Sequence, residues 1–135
     1  MRRTLESNPD TVDEVEEAVL RYVAEAGFGD TEQYFITLAA REVLINAMKH
    51  GNCYDASKQV SLRVAMDGEV LTIEVTDEGE GFQVADIPDP HLTENRNRPS
   101  GRGVMIARTV MDEFSVEKGP AGRSLVRMAK RLRRE

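Results

Sequence analysis

Apolar and polar residues alternate along this chain with two different periods, and the change of period predicts its helices and strands. Apolar residues recur at helical spacing over residues 12–26, directly after cap-and-start chemistry at residues 8–11. A second helix is predicted from a cap at Asp30 or Thr31 to about His50. Because most sides of this second helix are apolar, we expect it to lie in the core.

The remaining segments alternate with the period of two that is typical of strands. Residues 60–66 alternate, Asp67-Gly68 predicts a hairpin turn, and residues 70–75 form the return strand. Residues 83–100 have no periodicity and hold three of the five prolines, which predicts a long functional lid. The other predicted elements are a short edge strand at 2–6, a helix buried on most sides at 103–110, and strands at 114–118 and 124–128.

The predicted order is β-α-α-β-β-lid-α-β-β, within one domain that spans residues 1–135. Grouped helices followed by strands favour a two-layer arrangement. We therefore predict an α+β fold, a two-layer α/β sandwich with a mixed, mostly antiparallel sheet and helices on one face.

Composition narrows the class of protein. The apolar content of 40% and the charged content of 31% predict a soluble globular domain, and no apolar run reaches the length of a membrane span. The single cysteine, Cys53, excludes an internal disulfide and fits the cytoplasm. A net charge of −6 disfavours direct binding to nucleic acid.

The second predicted helix carries polar residues at helical spacing. Glu42 and Asn46 lie four residues apart and share a face, and Lys49 and His50 are expected to continue that stripe. Asn46 can give Mg²⁺ an oxygen ligand, Glu42 can accept a proton, and Lys49 can meet phosphate. Taken alone, Glu42 and Asn46 are explained equally well as a solvated polar stripe.

Two glycine-rich segments are further candidates for the same site as this helix. Asp77 follows an apolar strand and begins the sequence Asp-x-Gly-x-Gly-Phe, in which Gly79 and Gly81 allow a flat ring to approach the backbone. On its own, this sequence also fits an ordinary β-bulge or hairpin turn.

The second glycine segment precedes the helix predicted at 103–110. Gly101-Arg102-Gly103 can present free N–H groups to phosphate at a helix start. Arg96 and Arg98 in the lid can clamp a polyphosphate, although solvated loop arginines explain them equally well. The chain has no Gly-Lys-Ser/Thr here, so this is not a Walker A loop.

These motifs, taken in order, resemble the histidine-kinase, gyrase and mismatch-repair ATPase superfamily with the Bergerat fold. Within it the chain is similar to the small bacterial anti-sigma-factor serine kinases of partner-switching systems. Residues 42–51 match the N box, residues 77–82 the first glycine box, and residues 100–103 together with 111–114 the second. Residues 122–126 resemble the closing Gly-Thr strand, with Ser124 in place of the more usual threonine.

The resemblance implies a specific function. Glu42 would be the general base acting on a serine or threonine of a small anti-anti-sigma protein, and Asn46 would coordinate Mg²⁺. Asp77 would bind the adenine amino group, with Gly81 near the base and Ser124 behind it. The family also implies sequestration of a sigma factor and homodimerisation. The residues predicted to bind ATP are Asn46, Lys49, His50, Asp77, Gly79, Gly81, Phe82, Arg98, Ser100, Gly101, Arg102, Gly103, Val104 and Ser124.

One departure from the family leaves alternatives open. Family members often have an arginine directly before the Ser-Gly pair, whereas here Pro99 occupies that position and Arg98 lies one residue earlier. A catalytically weak or inactive nucleotide-dependent binding module therefore stands beside the kinase. A detached histidine-kinase catalytic domain is a third hypothesis, and it would need a partner chain that carries the phosphoacceptor.

Overall fold

The computed structural model describes residues 1–52, 55, 57–78, 102–118 and 123–133. Its sheet has five strands in the order β1-β2-β3-β5-β4, and each of the four pairings is antiparallel. The predicted α+β arrangement is confirmed, while the parallel component implied by a mixed sheet does not occur among the described strands. The strands are β1 (Arg2–Glu6), β2 (Gln59–Asp67), β3 (Val70–Asp77), β4 (Glu113–Lys118) and β5 (Ser124–Arg131).

The described residues form three α-helices beside the sheet: α1 (Val12–Ala26), α2 (Asp30–Asn46) and α3 (Arg102–Val110). Asn8 caps a short 3₁₀ turn before α1, with its side-chain oxygen accepting from the N–H of Asp10. The predicted cap at Asp30 or Thr31 was wrong, because Gly29 is the N-cap of α2 and Asp30 is the first helical residue. That placement puts the Asp30 carboxylate in the first turn, where it interacts favourably with the positive end of the helix dipole.

The hairpin between β2 and β3 is one residue away from its predicted position. Asp67 still pairs with Val70, so the two-residue loop is Gly68-Glu69 rather than Asp67-Gly68. Gly68 has φ of +62°, a conformation that a side chain at Cβ disfavours. The turn therefore depends on this glycine, and both strands are longer than predicted.

The core lies between one face of the sheet and the helices. Along β3 the buried positions alternate, at Leu71, Ile73 and Val75, and neighbouring strands supply Val64 and Met128 opposite Ile73. The first helix contributes a stripe of four buried valines, at 12, 15, 19 and 23. Burying each such side chain stabilises the fold by roughly 1.5–3 kcal/mol.

The opposite face of the sheet is polar and carries a chain of ion pairs across four strands. Arg63 lies 2.8 Å from Glu74, Glu74 lies 3.1 Å from Arg127, and Arg127 lies 3.5 Å from Glu117. Burial alone would raise the pKa of Glu74, but hydrogen bonds and charges from Arg127 and Arg63 outweigh it, so this pKa lies below its ordinary value. A charged face of this kind does not favour a second layer of helices. In the described ranges, no helix is long and apolar enough to span a bilayer.

Candidate functional site

The middle of α2 places Glu42 and Asn46 on one face, as the spacing predicted. Both side chains are half-buried. The side-chain nitrogen of Asn46 donates to the backbone carbonyl of Glu42 at 2.8 Å. Since a carbonyl can only accept, the nitrogen must be the atom that faces it, and Oδ1 is the amide atom left to bind a cation. The helix therefore presents a carboxylate and an amide oxygen at its surface.

The end of this helix departs from α geometry. Ala47–Gly51 forms a π turn, closed by a hydrogen bond of 2.9 Å from the N–H of Asn52 to the carbonyl of Ala47. The wider turn breaks the four-residue spacing, so the predicted continuous stripe through Lys49 and His50 is interrupted. Lys49 is exposed, and only the backbone of His50 is described. The π turn packs against β3, which brings the end of the helix to the sheet.

The end of β3 holds a carboxylate where the strand pattern calls for an apolar residue. Asp77 continues the buried face of Ile73 and Val75 and is 1% exposed. The pairing of Thr76 with Leu125 places Asp77 and Ser124 at the next position of the same two strands. Ser124 is 4% exposed and begins β5. Two polar residues predicted to bind ATP are therefore adjacent at the helix-covered end of the sheet.

Asn52 is a buried polar residue beside this site whose role the sequence did not indicate. Its side chain is 1% exposed and makes three hydrogen bonds. Oδ1 accepts from the N–H of Glu78 at 2.9 Å, and Nδ2 donates to Ser7 Oγ at 2.8 Å and to the carbonyl of Gln59 at 3.1 Å. The sequence identified Gly51-Asn52 only as a helix stop. Its position directly after the predicted N box was the signal that the sequence offered, whereas its burial depends on the fold.

The third helix lies against α2. Arg102, Gly103 and Val104 form its first turn, so the backbone of these three predicted residues is placed at a helix N-terminus, where N–H groups lack helical partners. At its other end, the Lys130 side chain donates to the carbonyl of Val110 at 2.9 Å. The prediction of burial on most sides was wrong, because Arg108 and Thr109 are exposed while Met105 and Ala107 are buried.

Several predicted site residues lie outside the described residues. They are Gly79, Gly81, Phe82, Arg98, Ser100 and Gly101, together with the lid up to that point.

The described groups suit the parts of a magnesium nucleotide. A carboxylate such as that of Asp77 accepts hydrogen bonds, and the exocyclic amine of adenine is a donor. An amide oxygen is a ligand type that Mg²⁺ accepts, and the N-terminus of α3 is a site for phosphate. The described residues include no cluster of three or more His, Cys, Asp or Glu suited to a metal. A cation at Asn46 would therefore rely on phosphate oxygens and water for its remaining ligands.

Comparison with known proteins identifies the family of the chain. Residues 5–130 match the histidine kinase-like ATPase domain. The chain is 33% identical over 98 residues to the anti-sigma F factor of Thermoanaerobacter sp. (strain X514), which covers 70% of this chain and 67% of that protein. It is 32% identical over 121 residues to the anti-sigma F factor of Clostridium botulinum (strain Eklund 17B / Type B), covering 85% and 82%.

Two further similarities extend the comparison. The serine-protein kinase RsbW of Bacillus licheniformis is 28% identical over 88 residues, which cover 61% of this chain and 55% of that protein. The crystal structure of the RsbU and RsbW domains of a Mycobacterium tuberculosis protein superimposes with a TM-score of 0.67 at 20% identity. That match covers 98% of this chain and 31% of the longer one, and it supports the fold. The chain belongs to the histidine kinase-like ATPase family, in the branch of the partner-switching anti-sigma factors.

Proposed function

We propose that this protein is an ATP-dependent serine/threonine kinase and anti-sigma factor, which phosphorylates a small anti-anti-sigma protein and sequesters a sigma factor. The observation that carries the proposal is the meeting of two polar sites through the π turn. Glu42 and Asn46 lie on α2, and the turn that ends this helix packs against the strand that ends in buried Asp77.

Each group has a separate role in this proposal. Asp77 binds the amino group of adenine, with Ser124 beside it, and the first turn of α3 binds phosphate. Asn46 would hold Mg²⁺ through its Oδ1, and the ion would supply positive charge to the phosphates. Glu42 accepts the proton of the substrate hydroxyl, and its half-exposed position leaves it accessible to a protein substrate. Transfer gives the antagonist a charge of about −1.5 to −2, which weakens its docking on the kinase.

Two measurements test the proposal. Calorimetric titration of the chain with Mg²⁺-ATP should show saturable binding, and absence of binding by a folded sample would refute it. ATP labelled on the γ-phosphate, incubated with the chain and candidate anti-anti-sigma proteins, should then label one of them on serine or threonine. Binding without transfer to the cognate antagonist would instead indicate the nucleotide-dependent binding module.

We also propose a homodimer formed through β1. In the described part of the sheet, β1 is an edge strand that pairs with β2 on one side. Antiparallel self-pairing centred on Thr4 would place Arg2 opposite Glu6 of the partner subunit and Glu6 opposite the partner's Arg2. Oppositely charged cross-strand pairs of this kind stabilise a sheet.

A charge exchange tests this dimer. Arg2→Glu should lower the dimer fraction measured by light scattering, because it places like charges opposite each other. The double variant Arg2→Glu with Glu6→Arg should restore it. A double variant that remains as monomeric as the single one would exclude this pairing.

A further inference from the structure

Asn52 lies where three segments of the chain meet. These segments are the residues after β1, the start of β2 and the end of β3, and the Asn52 side chain bonds to all three. Its own backbone N–H closes the π turn that follows α2. Asn52 therefore connects the helix that carries Glu42 with the strand that carries Asp77.

The chemistry of the amide suits this position better than any other side chain of similar size. Asparagine offers two donors and an acceptor oxygen, and here Nδ2 donates twice while Oδ1 accepts once. A carboxylate would keep the acceptor but lose both donors and would bury a charge. Ser7 extends the network, since its hydroxyl donates to the carbonyl of Lys58 at 2.7 Å.

The bonds of this network reach the residues directly next to the proposed adenine contacts. The N–H that Asn52 accepts belongs to Glu78, the residue after Asp77. The Glu78 carboxylate in turn accepts from the N–H of Gln59 at 2.6 Å and lies 3.4 Å from Arg123. Because Arg123 precedes Ser124, both buried polar groups at this end of the sheet have a neighbour held by the network.

We propose that Asn52 is a positioning residue for base recognition, which holds the end of β3 so that the Asp77 carboxylate meets the amino group of adenine. The proposal rests on the nucleotide site proposed above and assigns to that site a support that its contact residues do not supply. Misplacing a contact group by a fraction of its hydrogen-bond length weakens the contact, so the effect of losing Asn52 should fall on selectivity for the base.

The experiment compares ATP with inosine triphosphate, in which a carbonyl replaces the amino group. Dissociation constants for both magnesium nucleotides are measured by calorimetry below the onset of unfolding. Wild type should prefer ATP by at least about 10-fold, because a hydrogen bond to a charged group is lost with inosine. Asn52→Ala should reduce that preference by about 5-fold or more. A preference within 2-fold of wild type would overturn the proposal.

Two controls separate positioning from stability. Val19→Ala removes a fully buried side chain from α1 and should lower the melting temperature while leaving the ATP preference unchanged. Ser7→Ala removes one partner of Nδ2 but keeps the bond between Oδ1 and Glu78, so it should also preserve the preference. A loss of preference in Val19→Ala equal to that in Asn52→Ala would overturn the proposal.

A second variant tests the other bonds that hold the end of β3, and it applies if Asn52→Ala does not fold. The Glu78 side chain is 32% exposed, and Glu78→Ala removes its bonds to Gln59 and Arg123 without opening a cavity in the core. It should also reduce the preference for ATP, and full retention of that preference would count against the network. If wild type binds neither nucleotide, the proposed function fails; if wild type prefers ATP and both variants do so equally, only the role of Asn52 fails.

Discussion

The helix face of α2 and the end of β3 supply polar groups to the same proposed site, but they are built differently. Glu42 and Asn46 are half-buried on a helix surface, and the hydrogen bond between Asn46 and the Glu42 carbonyl is local. Asp77 and Ser124 are almost fully buried, and residues next to them are held by contacts from distant parts of the chain. In the proposed function, the buried end of β3 would bind the base, and the more open face of α2 would be accessible to a protein substrate.

The largest expected effect tests the helix face of α2, where Glu42 is the proposed general base. Glu42→Gln keeps the size and polarity of the side chain but removes the base. We expect phosphate transfer to the cognate antagonist to fall by about 10²–10⁴-fold, with affinity for Mg²⁺-ATP changed by less than about 2-fold. Transfer is measured with γ-labelled ATP. Glu32→Gln, in the first turn of the same helix, is the matched control and should transfer at the wild-type rate. Undiminished transfer by Glu42→Gln would show that another group is the base.

The next effect tests the end of β3, where Asp77 is the proposed contact to adenine. Asp77→Asn replaces the buried acceptor with an amide of the same shape. Affinity for ATP should fall by about 10–100-fold, since a hydrogen bond to a charged group contributes about 1.5–3 kcal/mol. Asp67→Asn, which makes the same chemical change at an exposed position on β2, should bind normally. Equal calorimetric affinities for the two variants would remove Asp77 from the adenine site.

A smaller effect sharpens the comparison within α2 itself. Arg41 is the neighbour of Glu42 but pairs with Asp13 and Glu16 of α1, and the hydrogen bonds to Glu16 and then Asp13 raise the pKa of its guanidinium. Arg41→Met should lower the free energy of unfolding by about 0.2–1 kcal/mol, as is usual for exposed ion pairs, without changing phosphate transfer. Urea denaturation measures the first quantity. A loss of transfer comparable to that of Glu42→Gln would mean that the active face extends around the helix.

A comparably small effect concerns Glu74, on the opposite face of β3. Glu74→Gln should cost about 0.5–1 kcal/mol at pH 7, with ATP affinity unchanged. Because the pKa of Glu74 is lower in the folded protein, its contribution is complete above the unfolded value of about 4.3 and is lost as the pH falls through the folded value. Unfolding curves of wild type and variant should therefore converge as the pH falls from the unfolded value through the lower folded value. Glu113→Gln on β4 is the control, and a difference that persists in acid would contradict the assignment.

The sequence predicted which residues lie together better than it predicted how far each side chain is buried. The sequence located the strand at residues 70–75 and placed Asp77 directly after it, but it did not predict that the strand extends to Asp77 or that this carboxylate is buried. Spacing also placed Glu42 and Asn46 on one face, but it did not show how far neighbouring elements cover that face. The burial of side chains on α2 depends on where α3 packs, and no local sequence pattern predicts that contact.

The residues that escaped prediction depend on contacts between segments far apart in the chain. Asn52 bonds to Ser7 and Glu78, which lie 45 and 26 residues away. The π turn is likewise a departure from helical geometry, and the residue types in Ala47–Gly51 did not predict it. Local propensity cannot register either feature, since both exist only when the strand end and the helix end are brought together.

The π turn has a consequence for how this protein tolerates insertions and deletions. It accommodates one residue more than an α turn would, so removing a single residue between 47 and 51 would restore ordinary helical winding and rotate Asn52 about the helix axis by about 100°. The Asn52 amide would then turn away from Ser7 and Glu78. The length of this short stretch should therefore be more strictly constrained than the identity of its exposed side chains, such as that of Lys49.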